Sequence, residues 1–501
     1  MKLATDQYIL GISAGFHDAA ATVLDSAGNI VFAGHAERYS KRKNDANLSE
    51  GLLAELCDYE FATIAYYERP WMHNLQQIYS GQRPTGPWTT GGAIRRQLGA
   101  WYQHKAVNER SYSHHLSHAA AGFQTSPFER ATVVVIDAIG EFDTVSIYGA
   151  EYDGQGRAVY QRLWVQRYPH SIGLFYSAIT ERVGLHPLDE EYITMGMAAY
   201  GRNTEDLAQG MAAELVDSVE QVRFRQNLHA GVSAGFMCGH EPEDIAGAAQ
   251  RLAEELIGSV MARARAFNWS TNLVYQGGVA LNCLANRNLG RYFENIWIMP
   301  CPGDAGSSLG AAALALGGPV NWRNAYLGRT IPGPYPVDAC VHSLLQDRIC
   351  GVASGRAEFG PRALGNRSLL ADPRGSDIKE QVNRIKRRQQ FRPFAPVILE
   401  EHVADYFDMP GGFVDSRYMQ IVGRCRRPDL FPAVTHVDGT SRIQTVPEDG
   451  SGIRALLEAW YAATGCPMLL NTSLNIRGEP MVNDRSDADR FEAQYGVRVH
   501  S

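Results

Sequence analysis

His114 and His118 stand four residues apart in the run Ser113-His114-His115-Leu116-Ser117-His118-Ala119-Ala120, and the apolar run Val133-Val134-Val135-Ile136 that follows ends on Asp137. On a helix the two imidazoles share one face and can grip a single ion. A carboxylate at the carboxyl end of a strand is where open α/β sheets present groups to ligands. Imidazole and carboxylate without thiolate suit iron, manganese or zinc. Histidines at this spacing are also ordinary polar residues on a helix, and the Asp that follows tips the balance toward metal. Asp304 stands in a second candidate position, in the loop Pro300-Cys301-Pro302-Gly303-Asp304-Ala305-Gly306 before a Gly/Ala-rich helix. It reads as a helix N-cap or as a fourth ligand beside His114, His118 and Asp137.

These residues need elements to carry them. Tyr8 to Ser13 reads as a strand, turned by Ala14-Gly15-Phe16-His17-Asp18, with Ala19 to Leu24 returning and Ile30 to Gly34 following another turn. The same layout recurs at Ala131 to Asp137, turned by Ala138-Ile139-Gly140-Glu141, with Phe142 to Tyr148 returning and a turn at Asp153-Gly154-Gln155-Gly156. Hairpins repeated in this order, with small residues at the turns, predict a duplicated α/β fold whose loops let backbone N–H groups approach an anion. Helices are predicted over Ser171 to Val183 and Asp244 to Phe267, the second with Ala248, Leu252, Leu256, Val260 and Ala264 at helical spacing. Asn272 to Asn282 reads as strand, Gly277-Gly278 turn and helix start, and a bare glycine turn can seat a nucleotide. Gly277, Gly278 and Asn282 are therefore candidate nucleotide contacts.

The chain has 501 residues, too many for one ordinary core, and two or three domains are expected. With 45% hydrophobic and 20% charged residues it is a globular composition, and a net charge of -7 argues against a surface built as a whole for nucleic acid. No apolar run is long enough to span a bilayer, so no membrane partner is expected. Eight cysteines without a Cys-x-x-Cys pair fit reduced thiols in a cytoplasm.

The stretch from Pro319 to Pro336, with four prolines and no core periodicity, reads as a linker. Beyond it lies Glu358-Phe359-Gly360-Pro361-Arg362-Ala363-Leu364-Gly365-Asn366-Arg367-Ser368 and, further on, Lys386-Arg387-Arg388 and Arg392. Arg362, Arg367 and Arg374 among glycines and prolines predict rigid loops gripping an anion, because a guanidinium fits phosphate oxygens bidentately. The cations further on read as a solvated helix face or a polynucleotide contact, and the net charge speaks against the latter. For Arg384 and Arg387 a solvated helix face is the simpler reading.

Hairpin, His-x-x-x-His, hairpin with Asp, Gly-Gly-Val-Ala-Leu-Asn and Gly-Asp-Ala-Gly-Ser together resemble the actin-like (ASKHA), metal-containing fold of the tRNA threonylcarbamoyl transferases. More closely, with Gly15-Phe16-His17-Asp18 and Glu37 to Lys43, they resemble the NodU/CmcH-type O-carbamoyltransferases of antibiotic and nodulation-factor biosynthesis. The C-terminal third is similar to that family's YrdC-like α/β domain, whose Lys-x-Arg and Ser-x-Asn match Lys386-Arg387-Arg388 and Ser473-Leu474-Asn475. The resemblance implies an actin-like carbamoyl-transfer domain over 1–330 and a YrdC-like domain over 331–501. It implies that the second makes carbamoyl-adenylate from carbamoyl phosphate and ATP (with Mg2+) through Arg362, Arg367, Lys386, Arg388, Ser473 and Asn475. The first would hold Fe2+ or another divalent transition metal and pass the carbamoyl group to an acceptor hydroxyl on a sugar or natural product. His17 would be the general base, on an unperturbed imidazole pKa, with Lys43 or Arg42 stabilising oxyanion charge.

A hydroxymethylated pyrimidine in a nucleotide or DNA, or a tRNA threonylcarbamoyl acceptor, is the alternative, so nucleic acid enters only as acceptor; a homodimer is compatible with the sequence. Segment Glu68 to His104, rich in Trp71, Tyr79, Trp88, Arg95, Arg96, Trp101 and Tyr102, is expected to recognise the acceptor by stacking. Two departures from the family stand out. Glu190-Glu191-Tyr192-Ile193-Thr194 replaces a Gly-x-Gly-Lys-like approach to Met195-Gly196-Met197-Ala198, and the chain is expected to lack a closing strand after Asp487-Ala488.

Overall fold

Runs of Val, Ile and Ala make the first strands, and hairpin turns fold them on one another. In the computed structural model, which describes residues 7–102, 107–413 and 415–501, Tyr8–Ser13 (β1), Ala20–Leu24 (β2) and Ile30–His35 (β3) form an antiparallel meander. Phe61–Tyr66 (β4) and Asn108–Ser111 (β5) extend it in parallel on the other side of β1. Arg130–Gly140 (β6), Asp143–Tyr152 (β7) and Ala158–Arg167 (β8) form a second meander, beside which Asn272–Gln276 (β9) and Asn295–Trp297 (β10) lie parallel to β6. The orders β3-β2-β1-β4-β5 and β8-β7-β6-β9-β10 match strand for strand, in direction as well as position. β1 and the first half of β6 are buried almost throughout, as continuous apolar strands covered on both faces must be.

Two helices fill the space between the sheets. The histidine helix, His114–Phe123, lays Ala119 and Phe123 on Val133, Val135 and Val274 of the second sheet. The small-residue helix, Ser307–Leu316, packs Leu309, Ala312 and Ala313 on Ile9, Ala20 and Leu24 of the first, and Ser308 Oγ lies 2.8 Å from Thr22 Oγ1. The two helices meet backbone to backbone at Gly310, where an added Cβ would stand 1.7 Å from the Ser117 carbonyl oxygen. That contact sets the histidines against the Asp304 loop.

The predicted helices are present as Ile172–Arg182, capped by Ser171, and Pro242–Ala266. The latter has Pro242 at its first turn, Glu243 and Asp244 beside it and Arg263 and Arg265 in the last turn, each complementing the helix dipole.

The C-terminal part carries a six-stranded mixed sheet in the spatial order Gln444–Val446, Ala395–Leu399, Met468–Ser473, Arg367–Ala371, Ile349–Ala353, Val499–His500. Two expectations change here. The closing strand is present: Val499–His500 pairs in parallel with Gly351 and Val352, too short to show a period in sequence. The stretch 319–336 is not only a connector. Tyr326–Ile331 is a strand pairing with Gly355–Glu358, with Leu327 and Ile331 buried, and the prolines that masked it fall outside its bounds.

The end of β3 clamps the second part. His35 Nε2 accepts from Gly360 N–H at 3.0 Å, and Arg38 Nη2 donates to the Gly360 carbonyl at 2.9 Å. Burial, and then the Arg38 charge, lower His35 from 6.5 to about 3. The unfolded chain therefore takes up this proton below 6.5 while the folded chain resists, so this contribution is complete above 6.5 and lost as pH falls toward 3. Between pH 7 and pH 5 this one group should cost about 2 kcal/mol of unfolding free energy, and His35→Gln should flatten that limb in urea titrations. Gly310→Val should destabilise by about 3 kcal/mol in the same assay, because the two helices must part.

Candidate metal centre and anion site

His114 and His118 project from the first turns of their helix to the carboxyl end of β6, where Asp137 sits, and to the turn Asp304–Gly306 that opens the small-residue helix. One ligand atom from each of the four lies within 4.8 Å of the others, and all four residues are buried. His114 Nε2 is 3.2 Å from both Asp137 Oδ2 and Asp304 Oδ1, His118 Nε2 is 3.4 and 3.3 Å from the same atoms, and the two Nε2 atoms are 3.1 Å apart. Bonds of about 2.1 Å from one central ion, at angles of roughly 90 to 110°, span such gaps. The donor set fits a divalent transition metal. Burial opposes charge on each group, yet the Asp304 charge and the bonds to Asp137 hold His114 well above its usual range. Those histidines in turn hold Asp137 well below the carboxylate range, against its own burial.

The surroundings fix the rings. His118 Nδ1 donates to the Pro302 carbonyl at 3.0 Å, which leaves Nε2 free to accept a metal. His114 Nδ1 lies 3.6 Å from Glu68 Oε2, and the same oxygen is 3.4 Å from His73 Nδ1. Glu68 is thus a carboxylate backing a candidate ligand. Sequence reasoning missed it as a partner of the histidine pair. Gly278 N–H donates to Asp137 Oδ1 at 3.1 Å and Gly277 N–H to Pro302 O at 2.9 Å. Gly277 has φ +90, and a side chain there would strike Ile136 O, so this turn positions the carboxylate as well as leaving backbone bare. Asn282 caps the helix Cys283–Asn286 through Ala285 N–H at 3.0 Å, and its amide is shared with Gln250. His115 faces the other way, onto Ser146 Oγ at 2.8 Å.

His17 stands at the mouth, its Nε2 3.7 Å from Asp304 Oδ2 and its Nδ1 3.0 Å from Asp18 Oδ2. The expected unperturbed value is not found: burial lowers it, but Asp304 and Asp18 together raise it to about 9. Lys43 Nζ is taken by Asp189 Oδ1 at 2.6 Å and lies over the Tyr192 ring. Arg42 is exposed.

The C-terminal candidates gather at a second place. Lys386 Nζ donates to Ser473 Oγ at 3.2 Å, to the Ser473 carbonyl, and to the carbonyl and Oδ1 of Asn475 at 2.8 and 2.9 Å. Burial, then Arg388 and Arg392, hold this ammonium well below its usual range. Arg388 lies over Phe394 and donates to Asn383 Oδ1 at 2.6 Å. Burial and then the Arg442 charge bring Arg362 down to about 9. Arg392 lies over the Tyr192 ring at 4.8 Å, and Arg442 keeps a buried Nε with no partner. Cations that depress one another call for an anion. Arg392 and Arg442 were not among the predicted ligands, and only their clustering in space picks them out. Arg367 is a correction: fully buried, it spends its N–H groups on the carbonyls of Asn483, Ser354, Asn366, Arg329 and Gly355. It braces the strands and has no donor left for phosphate. Arg384 pairs with Glu380 at the surface and Arg387 lies over Tyr495, in keeping with a solvated face. Glu190, in the segment that departs from the family, pairs with Arg477 at 2.8 Å and so joins the two parts.

Comparison with known proteins decides what the two sites belong to. The chain matches the model of the carbamoyltransferase N-terminus over residues 95–313 and that of the carbamoyltransferase C-terminus over 341–499. It belongs to the carbamoyltransferase family. Relatives include the uncharacterised protein sll1178 of Synechocystis sp., 34% identical over 96% of this chain and 94% of that one. Nodulation protein NolO of Bradyrhizobium diazoefficiens is 32% identical over 75% of each. The 3'-hydroxymethylcephem-O-carbamoyltransferase of Amycolatopsis lactamdurans is 31% identical over 78% of this chain and 79% of that one. The solved structure of T. kodakarensis HypF covers 63% of this chain and 48% of its own at TM-score 0.37, a likeness too loose to carry an argument.

In this carbamoyltransferase no helix among the described residues is long and apolar enough to cross a membrane. The segment expected to recognise the acceptor divides. Glu68 backs the candidate ligand His114 and contacts His73, while Arg69 pairs with Glu141. Trp71, Tyr79 and Trp88 face outward, Tyr102 is buried against Glu109, and His104 lies outside the described residues. Because Glu68 orients His114 without touching the ion position, Glu68→Gln should weaken divalent-metal affinity about 10- to 100-fold in chelator competition while leaving the fold intact.

Proposed function

We propose that this enzyme is an ATP-dependent O-carbamoyltransferase that activates at one site and transfers at the other. The Lys386, Arg362, Arg388, Arg392 and Arg442 cluster, with Ser473 and Asn475 beside the ammonium, carries this reading. Water cleaves carbamoyl phosphate to carbamate and phosphate. A carbamate oxygen then attacks the α-phosphorus of ATP (taken with Mg2+), forming carbamoyl-adenylate and releasing pyrophosphate. The five cations offset the charge that gathers on the phosphates, while Ser473 and Asn475 offer hydrogen bonds to the small planar carbamoyl group. Tyr192, reached from the first part and lying under Arg392, closes the site from the other side.

Transfer belongs to the histidine pocket. Bare backbone at Gly277 and Gly278 lies beside Asp137 for the nucleotide, with Asn282 further along the same turn capping the next helix. His114, His118, Asp137 and Asp304 would hold the divalent ion, Fe2+ among the candidates, which supplies positive charge to phosphate oxygens. The acceptor hydroxyl attacks the carbamoyl carbon, and AMP leaves with its electron pair, giving a carbamate ester. The hydroxyl proton passes to the neutral form of His17, a minority near neutral pH because, against burial, Asp304 and Asp18 raise this imidazole to about 9. Asp18 orients His17 as a partner carboxylate orients a general base. Lys43 is tied to Asp189 and lies over Tyr192. We take the acceptor to be a hydroxyl on a small molecule, in an actin-like first domain duplicated from one unit and a YrdC-like second.

Incubation with ATP and carbamoyl phosphate should release pyrophosphate without acceptor. Lys386→Ala should cut that release by at least about 100-fold. His118→Ala should leave pyrophosphate release in place and abolish carbamate-ester formation. Wild-type enzyme that releases no pyrophosphate overturns the reading.

A further inference from the structure

Helix Pro70–Tyr79 is built inside out. Its buried side chains include Asn74, Gln76 and Gln77, while Trp71, Leu75, Ile78 and Tyr79 are 47%, 41%, 51% and 68% exposed. The four stand at i, i+4, i+7 and i+8, so they form one apolar stripe, where a surface helix ordinarily turns such a stripe inward. The polar face is used: Asn74 donates to the carbonyls of Gly86 and Pro87 at 3.2 and 3.0 Å, and Gln77 Oε1 accepts from Thr85 N–H at 3.3 Å. Those bonds hold the loop that ends at Trp88, itself 49% exposed. Asn74 Oδ1 and Gln76 Nε2 stay buried without a partner, a cost accepted to keep the apolar side out. Five of the thirteen exposed large apolar side chains among the described residues fall in this segment.

We propose that this stripe is the two-fold contact of a homodimer of this chain. Its apolar side chains are uncharged and the Arg69 guanidinium over the Trp71 ring is already paired with Glu141, whereas the same stripe on a second copy is apolar and complements it in an isologous contact. Half-exposed, three aromatic and two aliphatic side chains present on the order of 400–500 Å². The apolar share of one partner's side in a standard dimer is about the same, roughly 65% of 800 Å². The stripe begins three residues after Glu68 and shares its helix with His73, so a second copy pressed against it would brace the turn that backs His114.

Sedimentation of the full chain tests this independently of the chemistry. Wild type should sediment at twice 55.2 kDa. Leu75→Glu and Leu75→Lys, each at the middle of the stripe, should raise the dimer Kd at least about 100-fold. An equal mixture of the two variants should re-form the dimer, because opposite charges then face across the axis; unfolded variants would not. Wild type that stays monomeric to about 50 μM, above the micromolar limit of standard interfaces, overturns the proposal. So does a dimer that neither substitution weakens, or a variant mixture that stays monomeric.

Discussion

Two carboxylates buried within hydrogen-bond reach of two imidazoles set the terms for the rest of the first part of the chain. Asp137 and Asp304 could not stay ionised in a dry interior without positive charge beside them. His114 and His118 supply it in the protein alone, and the same four atoms present a site for a divalent ion. The architecture serves that juxtaposition. β6 delivers Asp137, the turn before the small-residue helix delivers Asp304, and the bare face of Gly310 lets the two helices approach closely enough for the four groups to converge.

The second site inverts the electrostatics. Guanidiniums and an ammonium gather with aromatic rings and neutral amides for company, and burial and mutual repulsion push them down together. One pocket is thus shaped for a cation and the other for an anion, within one chain. The links between them are few and specific: the His35 and Arg38 grip on Gly360, the Glu190–Arg477 pair, and Tyr192 lying between Lys43 and Arg392. These contacts tie the two parts of the chain together.

Much of this was legible in order along the chain. The histidine spacing, the strand ending on Asp137 and the Gly-Gly turn are local signals, and the hairpin repeat located both meanders. The Lys386, Ser473 and Asn475 association required the family resemblance, because 87 residues separate the lysine from the serine. The linker reading failed because prolines at 332, 334 and 336 overshadowed a six-residue strand. Arg367 was misread because an arginine among glycines looks the same whether its donors face phosphate or five backbone carbonyls. Glu68 was passed over because a lone carboxylate after a strand carries no signal until a ring nitrogen lies beside it.

The sequence by itself determined which residue types could do chemistry and on which elements they ride, since helix and strand periodicity are local properties of the chain. Tertiary structure alone decided which charges share a pocket. It brought Asp304 to the histidine pair, turned Arg367 into a brace, added Arg392 and Arg442 to the anion site, and raised the His17 imidazole by placing two carboxylates against it. It also decided that helix Pro70–Tyr79 wears its apolar side outward, a choice fixed by what packs beneath it. Burial and Coulomb interaction depend on distance in space, and distance along the chain does not encode them.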